Sequence, residues 1–163
     1  MSAAGELRCE RMTRATLPGA LAVLQGFLGA DAHYLDSSAA YGDAGPDAGR
    51  RALELFLERP QLGFVWVARQ GEDVLASCVV CFAISTSRGG LVAKLDDVSV
   101  AAGATGQGIG SLLLERLKAH LRTLGVSRID CGCHRDNEGA WRFYARHGFV
   151  PLHEERIACL LAD

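Results

Sequence analysis

The stretch Gly103-Ala-Thr-Gly-Gln-Gly-Ile-Gly110 puts four glycines into eight positions, immediately before a run with strong helical periodicity. Glycines at a strand-to-helix junction let backbone N–H groups converge on one point, at the positive end of the helix dipole. This is chemistry for holding an anion, a phosphate above all. A Walker A loop does not fit, because counting from Gly103 its lysine and hydroxyl positions hold Ile109 and Gly110. A dinucleotide fingerprint fits better: Gly106-x-Gly108-x-x-Ser111 approximates it, and Asp130 ends the next strand, where a ribose-binding acid would sit. Its third glycine is replaced, however, and what precedes it is not a βαβ unit. Tyr144 is a second chemical group, a proton donor with a reference pKa of about 10, or else a core tyrosine one helical step from Ala140. Cys78-x-x-Cys81, with Cys131-x-Cys133 and His134, has a spacing that suggests zinc. Residues three apart on a strand point to opposite faces, though, and a zinc knuckle needs a turn there. No metal is expected.

These groups need a sheet and helices to position them. Leu7 to Met12 reads as a first strand. Leu17, Leu21, Leu24 and Leu28 then fall on one face of a helix for which Thr16 is the expected N-cap. Asp36 to Gly49 is loop-like in composition, and Arg51 to Glu58 carries Leu53, Phe56 and Leu57 at helical spacing before Pro60. Phe64–Arg69, Val74–Ser85 and Leu91–Val100 are strands separated by turn-forming residues, an antiparallel meander. Ile109, Leu113, Leu117, Leu121 and Leu124 form the apolar face of a helix that Gly125 can end, and Val126–Cys133 reads as the following strand. Asn137 can cap a short helix from Glu138 to His147, closed by Gly148, and Phe149 to Leu161 supplies one or two last strands. The expected fold is α+β in a single domain spanning residues 1–163. Its mixed sheet has about six to seven strands, antiparallel in the first half and parallel in the strand–helix–strand second half, with about four flanking helices.

Composition narrows the partners. The chain has 163 residues, 49% of them hydrophobic and 22% charged, the balance of a globular protein with one core. A formal net charge of −2 with scattered Lys and Arg argues against nucleic acid. The six cysteines sit mostly within apolar runs and read as reduced, buried thiols of a cytoplasmic protein. Arg8, Arg11 and Arg14 ahead of an apolar stretch imitate a secretory signal, but Glu6, Glu10, Pro18, Gly19 and Gln25 interrupt the pattern. No run is long enough to span a membrane.

The strand Leu95-Asp-Asp-Val-Ser-Val100, the loop Thr105-Gly-Gln-Gly-Ile-Gly110 and, 37 residues on from Val100, Asn137-x-x-Ala140-x-x-Phe143-Tyr144-x-x-x-Gly148-Phe149 together resemble the GNAT superfamily of acetyl-CoA-dependent N-acetyltransferases. The resemblance covers Leu91 to Phe149, about a third of the chain. It implies that the pantetheine arm pairs like an extra strand with the backbone of Val98 and Val100, where the motif strand splays from its neighbour. The pyrophosphate would rest on the loop Thr105, Gly106, Gln107, Gly108, Ile109, Gly110 and Ser111, with Asn137 on the pantetheine arm. Tyr144 would protonate the departing thiolate. Asp96 is the implied base, because by period two it shares a face with Val98 and Val100 while Asp97 points away. His33, Tyr34 and His134 lie outside this set. Acceptor choice is implied for Gly29 to Gly49, whose Asp31, Asp36, Asp43 and Asp47 come with no Lys or Arg and suit either a cationic amine or a plain solvated loop. The sequence departs from the family pattern at Thr105, usually Arg or Gln, which leaves a non-catalytic acyl-CoA-binding or regulatory domain as one alternative and a dinucleotide-binding protein as another. The partners implied are acetyl-CoA and a small-molecule or peptide amine, with room for a homodimer.

Overall fold

In a computed structural model, residues 5–35 and 44–161 are described. They form β1 (Leu7–Arg11), α1 (Leu17–Ala30), α2 (Ala48–Glu58), β2 (Gly63–Gln70), β3 (Asp73–Ser85), β4 (Gly90–Val100), a 3₁₀ turn (Ala102–Ala104), α3 (Ile109–Thr123), β5 (Ile129–Cys131) and α4 (Glu138–Arg146). A further helical turn spans 32–35. The five strands make one sheet in the order β1-β2-β3-β4-β5. Pairing is antiparallel as far as β4 and parallel between β4 and β5. The expected antiparallel half and parallel half are both present, in an α+β arrangement.

Strand β2 is buried from Gly63 to Ala68 because helices cover both faces of the sheet. Phe64, Trp66 and Ala68 join Leu95 of β4 and the α3 residues Ile109, Leu113, Leu114, Leu117 and Leu121. Val65 and Val67 pack instead with Leu17, Leu21 and Leu24 of α1 and Leu53 of α2. The helical periodicities in the sequence therefore report two different layers, and the sheet between them holds the site.

The expected six to seven strands are not formed among the described residues. Past Phe149, which packs against the α3 layer, residues 150–161 are exposed and unpaired into any strand. Pro151 lacks a backbone donor, and His153 adopts a left-handed φ of 56° that breaks an extended run. Strand β5 is also shorter than Val126–Cys133, since the Val126 N–H closes the end of α3 on the Leu121 carbonyl (3.1 Å). Helix α2 begins at Ala48, inside the stretch read as loop, and a Cβ on Gly49 would meet Leu21 of α1 at 3.5 Å. Thr16 stands before α1 but makes no cap bond. Its Oγ1 accepts the Thr13 N–H at 2.9 Å and so tightens the preceding turn.

Candidate active site

The site begins with a flaw in the sheet. Ser77 pairs with Ser99 and Val79 with Asp96, so Cys78 alone stands opposite both Asp97 and Val98. This is a β-bulge, and Asp97 absorbs it with φ 53°, a conformation Asp tolerates better than most residues. The extra residue resets the alternation of β4. Leu95, Val98 and Val100 now pack toward the α3 layer, while Asp96 stays on the opposite side with Lys94, its ion-pair partner at 2.9 Å. The expectation that Asp96 shares a face with Val98 and Val100 is therefore overturned, for the bulge breaks the period of two between them.

On its other edge β4 pairs with β5 only from Ala93 to Leu95. Among the described residues no strand neighbours it there from Asp96 to Val100, so the two parallel strands splay and leave a stretch of backbone open for pairing. The glycine loop sits at the end of that stretch. Gly106 and Gly108 adopt φ of 74° and 75°, and Gly108 is the N-cap of α3. The first turn of α3 contains no acidic side chain, so nothing opposes an anion at the orphan N–H groups of Ile109, Gly110 and Ser111. Thr105 Oγ1 donates to the Ala102 carbonyl (3.2 Å) and Gln107 Nε2 to that of Gly103 (3.3 Å), so both side chains brace the loop itself.

A cleft of about 160 Å³ opens beside the splay, lined by Asp96, Asp97 and Val98 of β4 and by Asn137, Ala140 and Tyr144 of α4. Asn137 caps α4, accepting the Ala140 N–H at 3.0 Å. Burial, with the charge of Asp96 beside it, raises the Asp97 carboxyl from 3.8 to about 6; Lys94 and Arg156 oppose the shift. Burial also pushes the Tyr144 phenol well above its usual range, aided by Cys131 beside it. Cys131 is itself pushed up to about 11 by burial. The cleft thus sets a carboxylate with a raised pKa near a phenol that stays protonated, the pairing that separates a base from an acid.

The remaining wall comes from Phe27 and Asp31 at the end of α1 and from His33 and Tyr34 in the following turn. The Asp31 Oδ1 accepts the Tyr34 N–H at 2.7 Å. His33 lies 4.9 Å, ring to ring, from His134 on the opposite rim. Among the described residues no group of three or more His, Cys, Asp or Glu could hold a metal ion, and all six cysteines are free thiols. No described helix is long and apolar enough to cross a membrane.

Residues 31–149 match the model of the acetyltransferase (GNAT) family. The chain belongs to that family. Solved structures agree on the fold. A transcriptional regulator from Bacillus halodurans superposes with a TM-score of 0.76 at 22% identity, covering 95% of this chain and 100% of that one. An acetyltransferase from Trypanosoma brucei gives 0.70 at 20% identity over 96% and 100%. A predicted acetyltransferase from Clostridium acetobutylicum, whose structure includes acetyl-CoA, gives 0.68 at 13% identity over 94% and 96%. No curated protein matches the sequence.

As a GNAT acetyltransferase the chain is an acyltransferase, and acetyl-CoA is the family's acyl donor. The structure gathers most of the residues singled out in the sequence. Val98, Asn137, Tyr144 and Asp96 share the cleft, and Gly106 to Ser111 form the loop at the N-terminus of α3. His33, Tyr34 and His134, set aside in the sequence, line the cleft. Asp97 was missed because a bulge cannot be read from alternation. Of the acidic stretch, Asp31 reaches the cleft and Asp47 is exposed at the start of α2, while Asp36 and Asp43 lie outside the described residues. Asp130, the candidate ribose acid, is held by Arg128 through two bonds of 2.7 and 3.0 Å.

Proposed function

We propose that the chain, as a single catalytic domain, transfers an acetyl group from acetyl-CoA to a primary amine by direct attack on the thioester. The observation that carries this reading is the open edge of β4 from Asp96 to Val100, running into the glycine-led N-terminus of α3. That cradle fits a long polar arm ending in a diphosphate. Bound acetyl-CoA would supply the acyl group in activated form, as a thioester. The backbone of Val98 and Val100 would pair with the pantetheine arm, and one of their N–H groups would polarise the acyl carbonyl. The N–H groups from Gln107 to Ser111 would hold the diphosphate.

An amine attacks only when deprotonated, and the departing thiolate needs a proton. Asp97 is the better base in this reading, since its raised pKa brings it closer to an amine than an ordinary carboxylate. Asp96, ion-paired to Lys94, adds negative charge beside it. Tyr144 is the donor to the thiolate. Asp31, Asp96 and Asp97 give the cleft an acidic lining that favours an ammonium acceptor, small molecule or peptide. The test is release of free thiol from acetyl-CoA across a panel of amines, with acetyl-CoA, NADH and ATP compared for their effect on the melting temperature. A ligand that binds only the native state stabilises it. Stabilisation by NADH and not by acetyl-CoA would refute the reading.

A further inference from the structure

Behind the glycine loop lies a chain of contacts that the reaction does not use. Glu115 Oε1 stands 2.7 Å from His147 Nδ1, and His147 Nε2 stands 3.0 Å from Ser111 Oγ. The His147 side chain is only 9% exposed. Lys118 Nζ fixes the assembly, donating to Glu115 Oε1 and to the His147 carbonyl, each at 3.1 Å. Glu115 is four residues after Ser111 on α3, and His147 closes α4, so two helices are locked together at the point where α3 presents its N–H groups.

From this geometry we infer that His147 is a positioning residue that sets the direction of the Ser111 hydroxyl and so makes affinity for the diphosphate of the acyl donor depend on pH. The inference rests on the cofactor reading above. A carboxylate can only accept, so the His147 Nδ1 carries a hydrogen toward Glu115. In the neutral ring Nε2 is then an acceptor, and it takes the Ser111 O–H. Ser111 is left presenting lone pairs toward the anion site. When the ring is protonated, Nε2–H donates to Ser111 Oγ, and the hydroxyl hydrogen is released to point at the diphosphate. One proton thus turns a repelling oxygen into a donor and adds a cation behind it. The charged group in contact with the ring is Glu115 from α3; Lys118 sits on Glu115 and on the His147 carbonyl, and Arg146, next in sequence, lies 5.9 Å from the Phe143 ring.

The experiment measures Kd for dephospho-CoA, whose diphosphate diester keeps a fixed charge and which lacks the titrating 3′-phosphate. Wild type, Ser111→Ala and His147→Leu are compared at about pH 5.5 and about pH 8.5, which bracket histidine titration. Wild type should bind roughly ten- to a hundredfold more weakly at the higher pH, the worth of one hydrogen bond to an anion. Ser111→Ala, which keeps the ring and its Glu115 partner, should lose that difference while retaining any pH dependence due to Asp97. His147→Leu should lose it as well. An equal pH dependence in wild type and Ser111→Ala overturns the inference, even if His147→Leu fails to fold, and leaves the cofactor reading standing. Absence of binding at either pH removes both.

Discussion

Replacing Asp97 with asparagine should make the protein more stable and less active at the same time. The carboxyl sits at the bulge of β4, where burial and the charge of Asp96 raise its pKa from 3.8 to about 6. That difference corresponds to about 3 kcal/mol of cost to the ionised form. The sign follows from the raised folded-state pKa. Above about 6 both folded and unfolded states are ionised, and the fold bears the full cost. As pH falls through about 6 the folded state takes up a proton first, stability rises, and below 3.8 the cost is gone. An asparagine side chain has no charge to desolvate, fits the same space and tolerates the positive φ. Water at the open side of the cleft screens part of the effect, so the expected gain near pH 8 is ~1–3 kcal/mol, or roughly 2–10 °C in Tm for a chain of this size. The gain should fade to nothing near pH 3.5. If Asp97 is the base, kcat should fall by ~10²–10⁴ in the thiol-release assay. Thermal denaturation of both proteins across this range is the measurement. An Asp97→Asn variant no more stable than wild type at pH 8, with the same pH dependence, would show that the carboxyl is not desolvated and would sink the argument.

Three other outcomes are expected. Tyr144→Phe removes one hydroxyl and little volume, so kcat should drop by ~10²–10⁴ while acetyl-CoA affinity stays nearly unchanged; a loss under about threefold removes the phenol from the mechanism. Gly108→Ala forces a Cβ into φ 75° at the N-cap of α3, which should cost ~1–2 kcal/mol of stability and weaken acetyl-CoA binding; calorimetry showing unchanged affinity would mean the loop does not hold the diphosphate. His120 stacks on Trp66 with ring centroids 4.8 Å apart, and burial, then Arg11, lowers its pKa. The unfolded chain therefore binds that proton first, and stability should fall as pH drops below the ordinary histidine range. His120→Leu should flatten that acid limb in melting curves.

Much of this protein was legible in its sequence because the deciding physics was local. The helices α1, α2, α3 and α4 announce themselves through apolar spacing, and Gly125 and Gly148 end their helices in the left-handed conformation their positions suggested. The meander, the glycine loop and the motif around Asn137 and Tyr144 were readable for the same reason. Each is a property of a dozen neighbouring residues. Pairing between distant segments was not. The bulge that turns Asp97 into the desolvated carboxyl arises from the register of β3 against β4, and nothing in Leu95 to Val100 reveals where Cys78 will stand. The splay exists because β5 pairs with β4 over three residues and stops, whereas an apolar run had suggested a longer strand. The last strands failed at Pro151 and His153, whose backbone geometry outweighs the apolar character of their neighbours. His33 and His134, far apart in the chain, meet across the cleft, and Ser111 meets His147 behind it. Spacing in sequence fixes which residues can share a helix face, but distance between elements is set by how whole layers pack, and the chemistry of this site depends on both.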